Sequence, residues 1–206
     1  MRHTGDLVID KANLQHFSKL THVIGNLHVN IEADLQKLVK VDGRLCVMAH
    51  SQFPALERVN SNVAVYRSAQ FPILTEIGGS LHIESDTEFP MLTHVRKWLA
   101  ICGKAYMPTL KCVGQRLFSP ECVQLPALEE VGEELDIADG MQLPALVKAH
   151  GCHGKLLAVL EYGLWRSADG HYYAGCRGPF TREQALQHWS REDERAIVFT
   201  KAILEN

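Results

Sequence analysis

The stretch FPILTEIGGSLHI, residues 71–83, carries two local signals that do not belong to one element. Leu81 and Ile83 alternate with His82 as in a strand with one buried face. Phe71, Leu74 and Ile77 instead recur every third residue around Pro72. Followed outward, the same pair of signals returns every eighteen residues. Blocks beginning at Gly25, Gly43, Ser61, Gly79, Lys97, Gln115 and Glu133 align without a gap, and residues 5–24 form an earlier unit with two extra residues. Eight units therefore run through residue 150.

Five positions of the block are apolar almost throughout. The third is Leu or Val, and the fifth is Val or Ile except for Ser119. The eleventh includes Phe53, Phe71, Phe89 and Met107, the fourteenth is Leu, and the seventeenth is Val, Ile or Ala. The twelfth is Pro in six consecutive blocks, Pro54 to Pro144. Such strict self-similarity marks stacked coils, none of which buries its apolar side alone. The third and fifth positions predict a short strand whose second, fourth and sixth positions face out. Proline offers no N–H, so the second half of each coil is expected as a proline-led 3₁₀ turn rather than a regular strand. The expected fold is a β-rich (α+β) right-handed solenoid. Each coil would hold a short parallel strand, a 3₁₀ turn and a glycine corner, stacked at about 4.8 Å. The unit at 115–132 is expected to carry a bulge, because Ser119 and Pro120 interrupt its pattern.

The pattern G-x-L-x-I…F-P-x-L-x-x-V-G resembles leucine-rich repeats. Its Leu-x-x-Val-Gly-Gly-x-Leu-x-Ile core, best kept from Leu74 to Ile83, is especially similar to the receptor L-domain type of solenoid. The resemblance covers residues 5 to about 155. It departs from common leucine-rich repeats in lacking the Asn ladder and in its short period.

After His150 the repeat stops, and a solenoid region of residues 1–155 gives way to a capping region of residues 156–206. Ser-Ala-Asp-Gly (167–170) predicts the turn of a β-hairpin. Thr181 with Gln184 predicts a capping box opening one helix, and Ser190 with Asp193 a second. Ala196, Ile197, Thr200 and Ile203 supply the second helix with an apolar stripe. An open solenoid needs its ends covered, and this tail has the content to do so.

Composition limits the function classes. Of 206 residues, 46% are hydrophobic and 22% charged, which excludes wholesale disorder. No apolar run approaches the roughly 18 residues of a membrane helix. The opening MRHTGDLVID lacks a signal-peptide core, so a cytoplasmic protein with six reduced cysteines and no membrane partner is expected. Net charge is −3. Residues 1–114 hold 12 basic and 10 acidic side chains, whereas residues 115–150 hold 2 and 7. The basic stripe of a nucleic-acid binder is missing. An acidic patch of Glu129, Glu130, Glu133, Glu134 and Asp136 would instead steer a protein partner with a basic surface.

The outward positions of the predicted strands between residues 43 and 132 gather Arg44, Met48, Tyr66, His82, Trp98, Arg116 and Phe118. Trp, Tyr, Phe, Met and Arg are the types enriched at protein interfaces. In KWLAIC, residues 97–102, Leu99 and Ile101 fall inward, while Trp98, Ala100 and Cys102 face out. These residues point to a non-catalytic protein-binding module that needs no cofactor. A phage or mobile-element inhibitor of a bacterial defence complex, acting by surface occlusion, is a second reading. A third is an enzyme using Cys176 with His171 or His188, although no third orienting group is evident. HGCHG (150–154) reads as the glycine-rich corner where the repeat ends rather than a metal site. Cys102, Cys112 and Cys122 occupy different coil positions and read as small semi-buried fillers.

Overall fold

A computed structural model of the chain describes residues 1–138, 141, 143–149, 152–153, 155–159, 163–167, 170–174, 177–190 and 194–206. The described residues between 5 and 149 wind as eight coils, numbered here from the N-terminus, with coil 2 starting at Gly25. Among the described residues, strands from successive coils pair into three parallel sheets. The front sheet has eight strands, Leu7–Ile9 through Leu135–Ile137, made by the third to fifth positions in coil order. The side sheet has five two-residue strands, Ala33–Asp34 through Ala105–Tyr106, from the ninth and tenth positions. The rear sheet begins with Arg2–Thr4 and His22–Ile24 and continues with the sixteenth and seventeenth positions to Lys148–Ala149. Cys152–His153 then pairs antiparallel at its end.

The side and rear strands exceed what the repeat predicts, which is a single strand per coil. The 3₁₀ element is present: a 3₁₀ helix spans Leu14–Phe17 in coil 1. Later coils reduce it to one turn, in which the N–H at the fourteenth position bonds the carbonyl at the eleventh. Leu56 to Phe53 measures 3.2 Å and Leu146 to Leu143 3.1 Å. Proline sits directly after the accepting residue, where its fixed φ suits the turn. The chain then extends for two residues before the corner, long enough to pair with both neighbouring coils.

The five apolar positions point inward and stack on themselves. Phe53, Phe71 and Phe89 lie face to face, with ring centroids 4.9 and 4.7 Å apart and an interplanar angle of 2° in each pair. That separation equals the spacing of hydrogen-bonded strands, so ring stacking and backbone pairing reinforce each other. The corner after the rear strand leaves no room for a side chain in coil 7. A Cβ on Gly132 would lie 1.9 Å from the carbonyl oxygen of Gly114.

Coil 7 does not carry the expected bulge in its front strand. Leu117, Phe118 and Ser119 pair with Leu135, Asp136 and Ile137 without a slip. Ser119 is fully buried, and its hydroxyl donates to the Glu121 carbonyl at 2.8 Å. The disturbance comes one residue later. Elsewhere the sixth-position N–H donates to the fifth-position carbonyl of the coil before, as in Tyr66 to Val47 at 2.9 Å. Pro120 has no N–H to donate, and the side sheet ends before this coil.

Beyond the coils, Lys155–Val159, Gly163–Arg166, Tyr172–Ala174 and Arg177–Phe180 form a four-stranded antiparallel sheet. Gly170 has φ +87° in the expected hairpin turn, where Ser167 N–H donates to the His171 carbonyl. Alternation along these strands divides their side chains between two cores. Trp165 and Tyr173 pack on the solenoid core, whereas Leu164, Tyr172 and Ala174 face two helices, α1 (Arg182–His188) and α2 (Glu194–Leu204). The Thr181–Gln184 capping box opens α1 as predicted. Asp193 of the second expected cap lies outside the described residues. The buried stripe of α2 is Ala196, Phe199, Ala202 and Ile203 rather than one including Ile197, which is 61% exposed. Phe199 takes the inward place and meets Trp189 edge to face at 5.6 Å. Among the described residues, no helix is long and apolar enough to cross a membrane.

Replacing the middle ring of the stack tests this packing. Phe71→Ala leaves a cavity between two rings that the backbone ladder holds apart, and should cost about 3–5 kcal/mol in urea unfolding.

Candidate functional site

On the front face, side chains of the second, fourth and sixth positions stand outward. Leu99 and Ile101 are fully buried, while Trp98 is 58% exposed, Cys102 is exposed and Ala100 is half-buried. The second position has a structural use in other coils. Asn26 Oδ1 accepts the backbone N–H of Arg44 at 2.8 Å, Asn62 Oδ1 accepts that of Ser80 at 2.8 Å, and Asp6 Oδ1 that of Asn26 at 2.8 Å. A partial ladder of small polar side chains thus runs up this corner, although no single residue type recurs there in every coil. Trp98 occupies a rung of it and accepts no such bond.

The remaining front-face residues fall into small groups. Tyr66 tilts against the His82 ring at 5.9 Å, and His82 Nε2 lies 2.9 Å from Glu84 Oε1. Met48 is exposed and receives the buried Cys46 thiol at 3.7 Å. Burial pushes the Cys46 thiol pKa up, against the pull of Arg44, so this sulfur stays protonated. Arg44 itself is exposed. Arg116 lies over the half-buried Phe118 ring at 5.8 Å, and its guanidinium reaches Glu134 at 3.3 Å and Asp136 at 2.7 Å.

The acidic residues of coils 7 and 8 do not form one open patch. Glu129 meets Lys111 at 3.4 Å, Glu130 meets Lys148, and Glu133 accepts from Gln115 at 3.1 Å. With Arg116 on Glu134 and Asp136, five carboxylates face three cations, an excess of two negative charges. Glu129 and Glu130 belong to the rear face, while Glu134 and Asp136 belong to the front. The charges are visible in the sequence, but their partners come from neighbouring coils eighteen or twenty residues away.

The rear face is laced with such pairs. Glu76 lies between Arg58 at 3.1 Å and Arg96 at 2.5 Å. Asp42 gathers Lys40, His22 and the Asn60 amide, each at 2.7 Å. The Arg96 hydrogen bond holds the Glu76 carboxyl below its ordinary pKa of 4.5 despite partial burial, and the Lys40 bond does the same for Asp42.

The thiols expected as fillers divide. Cys112 is half-buried, with its pKa raised by burial and then by Glu130, but Cys102 and Cys122 are exposed. Cys176 and His150 lie outside the described residues, and of HGCHG the structure describes only the strand at Cys152–His153. His188 stacks on Phe180 at 4.9 Å and accepts from Arg177 at 3.1 Å. His171 flanks the hairpin turn, where its backbone N–H donates to Ser167 Oγ at 3.2 Å. Compared with known proteins, the chain matches no family model, no curated protein and no solved structure.

Two outcomes follow from this geometry. Trp98→Ala should change stability by no more than about 0.5 kcal/mol, while Leu99→Ala, its neighbour in the chain, should cost about 2–5 kcal/mol in urea unfolding. The depressed Glu76 carboxyl favours the folded state above its unfolded pKa. That contribution is lost as pH falls through the lower folded value. Urea midpoints measured on descending from pH 7 should therefore hold until about pH 4.5 and then drop. Glu76→Gln should flatten that acid limb.

Proposed function

We propose that this chain is a non-catalytic protein-interaction module that grips a partner through its front face between residues 43 and 132. The observation that carries the reading is Trp98, an exposed indole at a position where coils 1, 2, 4 and 5 use a small polar side chain to bond the next coil. Met48, Tyr66 and Phe118 extend the apolar surface along the stack. Arg44 supplies a guanidinium for a carboxylate on the partner, and His82 and Arg116 add polar contacts. A rigid stacked sheet holds these groups in place before contact, so little ordering opposes association. The excess negative charge beside Arg116 favours a partner whose adjoining surface is basic. We read the coils as receptor L-domain-like on their Leu-x-x-Val-Gly-Gly-x-Leu-x-Ile core, a reading supported by the lack of any helix between the described strands of coils 2 to 7.

The test starts from the immobilised chain, a lysate of the source cell and mass spectrometry of what is retained. The purified partner is then titrated against variants. Trp98→Ala should weaken binding about thirtyfold, near 2 kcal/mol, as truncation of a central aromatic does. Met91 is as exposed an apolar side chain but lies off the front face, and Met91→Ala should leave the affinity unchanged. Equal effects of the two substitutions would place the contact elsewhere.

A further inference from the structure

We infer a second binding site, on the side face, for a neutral β-1,4-linked oligosaccharide lying along the stack. An open groove of about 580 Å³ crosses coils 2 to 4 there, bordered by Glu32, Asp34, His50, Gln52, Ser68 and Gln70. Its origin is legible in the ninth position, which points inward. That position holds Ala33, Ser51, Ala69, Thr87 and Ala105 wherever the side strand exists, then Val123 and Met141 where it does not. Small inward residues let this wall of the coil sit closer to the core than walls filled by Leu and Phe.

The tenth position supplies the contacts. Asp34, Gln52, Gln70, Glu88 and Tyr106 are register partners in consecutive coils, so their side chains stand in one straight column. All five are exposed, Tyr106 by 56%. Their spacing is that of paired strands, about 4.8 Å, close to the length one pyranose adds to an extended flat chain. On the rear face the outward polar groups are largely paired with one another. Here Gln52, Gln70 and Glu88 make no side-chain hydrogen bond or ion pair. An amide both donates and accepts, which suits adjacent hydroxyls that do the same. Along the other rim, His50 Nδ1 and Ser68 Oγ of successive coils lie 3.0 Å apart and bond each other. At the top of the column the exposed Tyr106 ring offers a flat face for the C–H side of a sugar.

Charge narrows the ligand. Glu32 and Asp34 are acidic, and no Lys or Arg lines the groove. Phosphates, sulfates, uronates and nucleic acid are therefore disfavoured. A cationic peptide would gain from the two acids. In the middle of the groove it would find amides, a hydroxyl and the His50 ring but no carboxylate, and the strand backbone there is already paired on both sides.

The test titrates the full chain calorimetrically with cellohexaose, mannohexaose and xylohexaose, with oligolysine as the rival. At least one hexaose should saturate. Gln52→Ala combined with Gln70→Ala, and separately Tyr106→Ala, should weaken it about tenfold or more with urea midpoints unchanged. Gln70→Glu, which keeps the shape but removes the donor, should act in the same direction should the alanine pair unsettle the coils. Trp98→Ala, on the front face, should leave sugar binding intact, so this site stands or falls apart from the protein contact. Absence of binding by all three hexaoses at millimolar concentration overturns the inference. So does a column variant that binds as the parent does, or oligolysine binding more tightly than every hexaose.

Discussion

The hydrogen bond from the sixth-position N–H of one coil to the fifth-position carbonyl of the coil before sets the rise of the whole stack. It measures 2.9 Å from Met48 to Val29, 2.9 Å from Glu84 to Val65 and 2.8 Å from Cys102 to Ile83. With the rise fixed, each inward residue must sit directly over its equivalent. A row of Leu or Val then packs as a continuous ridge, and the Phe53–Phe71–Phe89 rings meet at stacking distance with no tilt. The same rise acts on the outside, where it turns isolated polar residues into columns. Pro120 removes one such bond, and the side sheet stops there while the front and rear ladders continue.

Those columns divide the work of the surface. The rear face is closed: its acids and bases satisfy one another across coils, with Glu76 and Asp42 as hubs, and little capacity remains for a ligand. Exposed ion pairs of this kind add modestly to stability but leave few free donors. The front face is broken up by bulky groups, Trp98 above all. The side face leaves Gln52, Gln70 and Glu88 without side-chain partners, while Asp34 bonds Gln36 and His50 bonds Ser68. One backbone scaffold thus presents three surfaces of different chemistry, because each face draws its outward residues from its own positions in the repeat.

Much of the scaffold was legible in the residues themselves. Alternation at the third and fifth positions assigned Leu99 and Ile101 inward and Trp98 outward, and the strict period specified the stacking. The rear and side strands were not legible, because two residues are too few to show an alternation and the first outward residue follows a proline-led turn. Ser119 in an apolar row predicts a bulge that the strand does not have. Its hydroxyl finds the Glu121 carbonyl two residues on, a local bond that leaves the strand straight. Cys102 and Cys122 are exposed rather than fillers, because position in a coil says which way a side chain points, not how far its neighbours cover it. Ile197 and Phe199 are both apolar, and the pattern of the helix does not show that Phe199 is the one that meets Trp189. Partners such as Arg116 with Asp136 lie one coil apart, so they appear only once the coils are stacked. The column of Asp34, Gln52, Gln70 and Glu88 was open to reading, but outward polar residues are the ordinary case and attract no notice singly.

The glycine corner has a consequence for how such a molecule can change in length. Gly132 fits because the carbonyl of Gly114 arrives at one particular height, and the same holds for every inward row at once. An insertion of a few residues inside a coil would displace all the rows above it, unless it bulged outward from a corner. Duplication of one complete coil would disturb none of them and would simply lengthen all three faces by one step. The C-terminal sheet, anchored through Trp165, would move outward with the last coil and still find the same row ends to seal. Reach along the stack is therefore quantised, and a lineage carrying this fold can lengthen or shorten its surfaces in whole coils while the chemistry of each face carries over unchanged.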